Sequence, residues 1–176
     1  MFMKKVSARM LTVAGATALV FGAMSGAQAA TSTDNLSVTA SVAANCSIST
    51  TAVAFGAYDP VVANAVAAID QTGTVSVNCT SGANATVTLG QGANAGGGST
   101  DAVPVRRMSD GVTSFLNYTL YSDAGRTTAW GNTGGTGQAH LGTGSAANLT
   151  VYGRLPGGQA VPVGSYTDTV VATITF

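Results

Sequence analysis

The segment TDNLSVTASVAANCSIS, residues 33–49, places Leu36, Val38, Ala40, Val42, Ala44, Cys46 and Ile48 at every second position, with mostly Ser, Thr and Asn between them. A period of two sends alternate side chains to opposite faces of an extended chain, so this stretch reads as strand with one apolar face. It runs from Leu36 to Ile48, more than twice the usual strand of about 5 to 6 residues, and would reach roughly 43 Å at about 3.3 Å per residue. Only Ala43, Ala44 and Asn45 stand near its middle as turn residues, and no Asn-Gly or Pro hairpin offers the leading half a local partner.

Before this segment, Lys4, Lys5 and Arg9 precede an uncharged apolar run from Met10 to Met24 and then Ala27, Gln28 and Ala29. Residues 1–29 are therefore expected to be a secretory signal peptide with an Ala-x-Ala cleavage site; the apolar run is short for a membrane span of about 20 residues, and no stable membrane insertion is expected after cleavage. The remaining chain has no Lys and no Glu, and sets four arginines (Arg106, Arg107, Arg126, Arg154) against seven aspartates, a formal −3. Too few cations remain for nucleic acid or an anionic membrane surface.

The exported part suits one domain with a real core. Its two cysteines, Cys46 and Cys79, favour one disulfide in an oxidising compartment, with a stabilisation of roughly 3 to 4 kcal/mol from loop closure. The rival is a metal pair. With His140 as the lone histidine, it lacks soft ligands for zinc, and no metal or other cofactor is expected.

Alternation returns along the chain. Val75, Val77 and Cys79 share one face, as do Ala85, Val87 and Leu89; so do Leu116, Tyr118 and Leu120, and then Leu149, Val151, Gly153 and Leu155. Near the C-terminus Val170, Ala172, Ile174 and Phe176 form an apolar face, expected to be a core strand with Phe176 buried. Gly-rich stretches begin at Gly90, Gly131 and Pro156. Short alternating strands between such turns predict an antiparallel sandwich or barrel. Asp59 to Gly73 is ambiguous, read as a loop with a possible helical turn.

Catalytic constellations are not found. His140 sits in a Gly-rich region with no nucleophile elbow, and reads as a loop histidine. The seven Asp stand singly in contexts such as SDG and SDAG, which is turn chemistry. GQGANAGGG has no Gly-Lys-Ser/Thr ending, so it reads as a flexible hairpin loop and not a phosphate cradle. No catalytic residues are assigned and no enzyme is expected. Trp130, with Tyr152 and Tyr166, would be the candidates if the chain were a carbohydrate-binding module.

The ordered set Cys46, Phe55-Gly56-x-Tyr58, VSVNCTSG around Cys79, YTLYSDAGRTTAWG from Tyr118 and VYGRLPGGQAVPVGSYTDTVVATITF from Val151 resembles the spore coat U domain family, which includes pilin subunits of the archaic chaperone-usher pathway. The resemblance implies an all-β, incomplete immunoglobulin-like sandwich whose missing strand is supplied by a periplasmic chaperone and finally by the N-terminal extension of a neighbouring subunit. It divides the chain into the signal peptide at 1–29, a donor-strand extension at 30–43 and the pilin domain at 44–176. Leu36, Val38, Ala40 and Val42 would then be the donated residues, and Ala44 to Ile48 would begin the subunit's own sheet.

The implied function is a fimbrial subunit, secreted through the periplasm to the cell surface and used in adhesion and biofilm formation. Its implied partners are related pilin subunits, the chaperone and an outer-membrane usher. The alternatives are a non-filamentous spore or cell-coat protein, a secreted carbohydrate-binding module, and a closed monomer that pairs its own N-terminal strand.

Overall fold

The computed structural model describes residues 28–176; the signal-peptide reading falls almost wholly on residues 1–27, outside the described part. One unit ends at Ala40 and a second runs from Ser41 to Phe176. Within the first, residues 28–40 carry no strand, and Leu36 and Val38 are 89% and 85% exposed.

The second unit is all-β. Its strands are β1 (Cys46–Thr51), β2 (Ile69–Cys79), β3 (Asn84–Leu89), β4 (Arg106–Ser109), β5 (Phe115–Tyr121), β6 (Gln138–Leu141), β7 (Ala146–Leu155) and β8 (Ala172–Thr175). They form two antiparallel sheets, one in the order β1-β2-β7-β5-β4 and one in the order β6-β3-β8. No helix occurs among the described residues.

The alternation decides which residues meet between the sheets. In β2 the buried positions are Gly73, Val75, Val77 and Cys79, and in β7 they are Val151, Gly153 and Leu155. Val87 and Leu89 approach from β3, and Leu116, Tyr118 and Leu120 from β5. Trp130 is 0% exposed, and its indole Nε1 donates to Val87 O at 2.9 Å, which satisfies the one polar atom the ring carries into the core. Gly153 is required by a close approach: a Cβ there would stand 2.6 Å from Val53 and 3.0 Å from the Phe55 ring.

Two strands carry no alternation that a reader of the sequence could use. In β4, Arg106 points inward with 1% exposure; its Nε donates to Gly90 O at 2.8 Å, and one Nη2 donates to Leu89 O and Trp130 O at 2.7 Å each. A strand of one sheet is thereby fastened to the end of β3 in the other. Burial pulls the guanidinium down to about 10, so it stays charged at neutral pH. The other strand is β6, which places His140 opposite Ala85 in a ladder, not in a loop as expected. Asp59–Gly73 contains turns at 60–64 with no helix, and Ile69 already begins β2.

Cys46 lies directly opposite Cys79 in the β1–β2 register, and the two are bonded. Replacing both by Ser is expected to lower the unfolding free energy by about 2 to 5 kcal/mol, read as a lower urea midpoint. Five carboxylates, Asp59, Asp70, Asp101, Asp110 and Asp123, are held below their ordinary 3.8: Asp70 chiefly by hydrogen bonds from Arg154, Asp101 by the Gln91 side chain, and the others by backbone N–H groups. A folded-state value below the unfolded one adds stability above 3.8 that is lost as pH falls through the folded values. The urea midpoint is therefore expected to be level between neutrality and about pH 5 and to drop below about pH 4; a steep drop near pH 6 would contradict this assignment.

Candidate functional site

β1 has β2 on one side and β8 has β3 on one side; among the described residues neither has a strand on its other edge. These two free edges belong to different sheets and run beside each other. An edge strand normally presents a row of unpaired N–H and C=O groups, so the seam offers two such rows to an incoming extended chain.

Beneath the seam the core is open. A cavity of about 310 Å³ lies between the sheets, with Thr50 on the β1 side, Val170 and Ala172 on the β8 side, and Val75, Leu89 and Leu120 among the residues at its base. The same Val75 and Leu89 are core residues with almost no exposure of their own. Away from Asp168 the lining is largely aliphatic and aromatic, which suits alternate side chains of a strand better than a polar small molecule.

One end of the cavity is polar. Asp168 lines it, with Oδ2 accepting from the Tyr118 hydroxyl at 2.7 Å. Its Oδ1 accepts from the backbone N–H groups of Ala93 and Asn94 at 2.9 and 3.2 Å. Burial first, and then the bond to Asp168, push the Tyr118 hydroxyl upward, so it stays a donor. Arg107 donates to the carbonyls of Asn94 and Ala95 at 3.0 Å each and lies 4.0 Å over the Phe115 ring. The GQGANAGGG stretch, expected to be a flexible hairpin, is thus pinned from both sides. Gly92, at φ +87°, passes so close to the Asp168 carboxylate that a Cβ would collide with it.

The residues singled out in the sequence divide as follows. Cys46 and Cys79 are joined. Val170, Ala172 and Ile174 are half-buried and pack against the core, the first two at the cavity wall. Phe176 is 53% exposed, against the expectation of burial, because the β3–β8 ladder ends at the Thr86–Thr175 pair and Phe176 lies past it. Leu36, Val38, Ala40 and Val42 are exposed and carry no strand in this chain, the first ladder beginning at Cys46.

Trp130 is wholly buried and has no face to offer a sugar; Tyr152 and Tyr166 are half-buried, and the Tyr166 hydroxyl is bonded to Pro162 O at 2.9 Å. The sugar-platform reading of Trp130 is therefore withdrawn. Among the described residues no group of three His, Cys, Asp or Glu could hold a metal ion.

Sequence reading passed over Asp168, Tyr118 as a polar group, and Arg106. Asp168 had a legible signal, since it shares the inward phase of Tyr166, Val170 and Ala172. The turn reading of the aspartates holds for Asp59, Asp110 and Asp123, whose side chains accept from backbone N–H groups two to five residues on. It fails for Asp168 and for Asp70, which sits in β2 and pairs with Arg154 at 2.8 Å.

The family profile for the Spore Coat Protein U domain matches residues 32–173. Protein U of Myxococcus xanthus is 49% identical over 181 residues, covering 99% of this chain and 100% of that protein. A similar backbone occurs in the crystal structure of the CsuC–CsuE chaperone–tip adhesion subunit pre-assembly complex from the archaic chaperone-usher Csu pili of Acinetobacter baumannii. There the TM-score is 0.53 and the identity 19%, over 77% of this chain and 40% of the matched one. At that identity the likeness is one of fold.

Asp168→Ala is expected to cost about 1 to 3 kcal/mol, the size of leaving buried donors unpaired, and to speed amide exchange at Ala93 and Asn94; unchanged exchange there would show that the loop does not rely on the carboxylate. Phe176→Ala should cost under about 1 kcal/mol in the isolated subunit, in keeping with an exposed side chain.

Proposed function

The chain belongs to the Spore Coat Protein U domain family, and from that premise we propose that it is a structural subunit of a surface fibre assembled by strand donation. In this reading the β1–β8 seam is an acceptor groove. Residues 30–43 are the donor extension and 44–176 the accepting body. The observation that carries it is the open cavity between two unpartnered strand edges in a chain whose N-terminal segment presents Leu36, Val38, Ala40 and Val42 in one phase.

The energetics agree in scale. Burying three large aliphatic residues and Ala40, with new ladder hydrogen bonds, gives a gross gain of order 10 kcal/mol before ordering costs. Strand addition of this kind supplies affinity through the main chain and specificity through alternate side chains. A periplasmic chaperone filling the same groove before assembly, and an usher at the outer membrane, are the partners this reading requires. The chaperone–subunit complex of the fold neighbour supports the first of them. Export through the periplasm, adhesion and biofilm formation complete the proposal.

A second reading is favoured by one observation: the 49% identity to Protein U spans both chains almost end to end, whereas the pilus-complex neighbour stands at 19%. It makes the protein a coat component that exchanges strands without building a long filament.

Surface-sheared material run unheated on a denaturing gel is expected to give a ladder of multiples that collapses to monomer on boiling. Dimers alone would favour the coat reading. Because a shift of one residue turns an apolar face outward, Val38→Asp is expected to abolish the ladder and Thr39→Asp to leave most of it. Equal effects of the two substitutions would falsify the donor assignment.

A further inference from the structure

Resting on the donor-strand reading, we infer that the end of the sandwich remote from the disulfide is the seat of the next copy of this chain, whose body rests on the exposed Val61, Val62, Val66, Val112 and Val163. The inference comes from strand directions and from the length of one linker.

β1 leaves the disulfide end at Cys46, beside the turn where Thr80 N donates to Asn45 O, and runs away from it. β8 runs back towards that end, since Thr175 pairs with Thr86 near the start of β3. A strand lying in the seam has two choices. Parallel to β8, its following body would meet the acceptor disulfide end to disulfide end, a two-fold arrangement that closes at two subunits. Antiparallel to β8, the donor's Val42 reaches the opposite end of the acceptor, and the arrangement repeats head to tail without closing. An open fibre requires the second choice.

From Val42 to Cys46 is four residues, a reach of at most about 14 Å. The two bodies must therefore touch. On the acceptor the contact falls on the loops at the far end, 59–67, 110–114 and 156–164. These are tied to one another: Gly158 N donates to Asn64 O at 2.8 Å, and Gly164 packs beside Asp110. All five valines lie on them and are exposed.

The acids among them face their own backbone, with Asp59 Oδ1 accepting from Val61 and Val62 N–H and Asp110 Oδ1 from Val112 and Ser114 N–H. The outer surface is left apolar, the composition of an interaction patch. A second cavity of about 760 Å³ between residues 53–60 and 161–166 shares Val53, Phe55, Met108 and Tyr166 with the first, so this end is continuous with the seam. On the donor the matching surface is the disulfide end, formed by the 80–83 turn, exposed Leu141 and the 142–145 turn.

The test is a photo-crosslinking residue at position 163 of the full chain, in polymers grown from mixed isotope-labelled and unlabelled copies. The expected product joins position 163 of one copy to residues 80–83 or 141–145 of another. A ladder in which position 163 joins the far end of another copy, or nothing, overturns this contact and leaves strand donation standing; absence of any ladder overturns both. As a second measurement, the variant V62D/V163D is expected to melt like the parent as a monomer and to assemble about tenfold less well, equivalent to about 1.4 kcal/mol. Unaltered assembly would overturn the contact.

Discussion

Two strand edges from different sheets, β1 and β8, face a shared opening with no strand between them among the described residues. The rest of the molecule follows from that constraint. A sandwich core is sealed when the rows of inward side chains from both sheets meet along every side. Here Val75, Leu89 and Leu120 are packed as core residues and still line an open cavity. The body is thus an ordered fold with an open cavity, and Leu36, Val38, Ala40 and Val42 ahead of it share one apolar phase.

The molecule tolerates the opening because the opposite side is fastened by groups stronger than aliphatic contact. Arg106 binds three main-chain carbonyls of β3 and the Trp130 segment, and Trp130 itself donates to Val87 O. Charge-assisted bonds to buried carbonyls are among the stronger protein hydrogen bonds. At the cavity, Asp168 accepts from Tyr118 and holds the Gly-rich loop through the N–H groups of Ala93 and Asn94. The disulfide performs the corresponding task for β1, which among the described residues pairs with β2 alone. These are rigid supports for the cavity wall, and the loops between them carry glycines where close approach demands it.

Much of the fold was legible because period-two alternation and burial are the same fact seen twice. The inward residues read from sequence in β2, β3, β5 and β7 are those found in the core. β4 and β6 were not legible: RRMS turns an arginine inward, and in QAHL the alternating apolar pair Ala139 and Leu141 is the exposed face. Phe176 shows the reverse failure. Its phase is right, but the β3–β8 ladder stops at the Thr86–Thr175 pair although β3 continues to Asn84, and burial depends on the pairing as much as on the phase.

The sequence by itself determined the all-β class, the faces of the long strands, and the phase shared by Leu36, Val38, Ala40 and Val42, since each is a property of neighbours along the chain. Only the tertiary structure decided that Tyr118 donates to Asp168, that Arg106 turns inward onto main-chain carbonyls, that Trp130 is sealed away, and that among the described residues the unpaired edges of β1 and β8 flank the open cavity. Those outcomes join residues distant along the chain, 50 apart for Tyr118 and Asp168 and 43 for Trp130 and Val87, or rest on which edge remains unpaired. Periodicity fixes the face of a strand and is silent on its neighbours, so the location of a missing strand emerges only when all the others have found their partners.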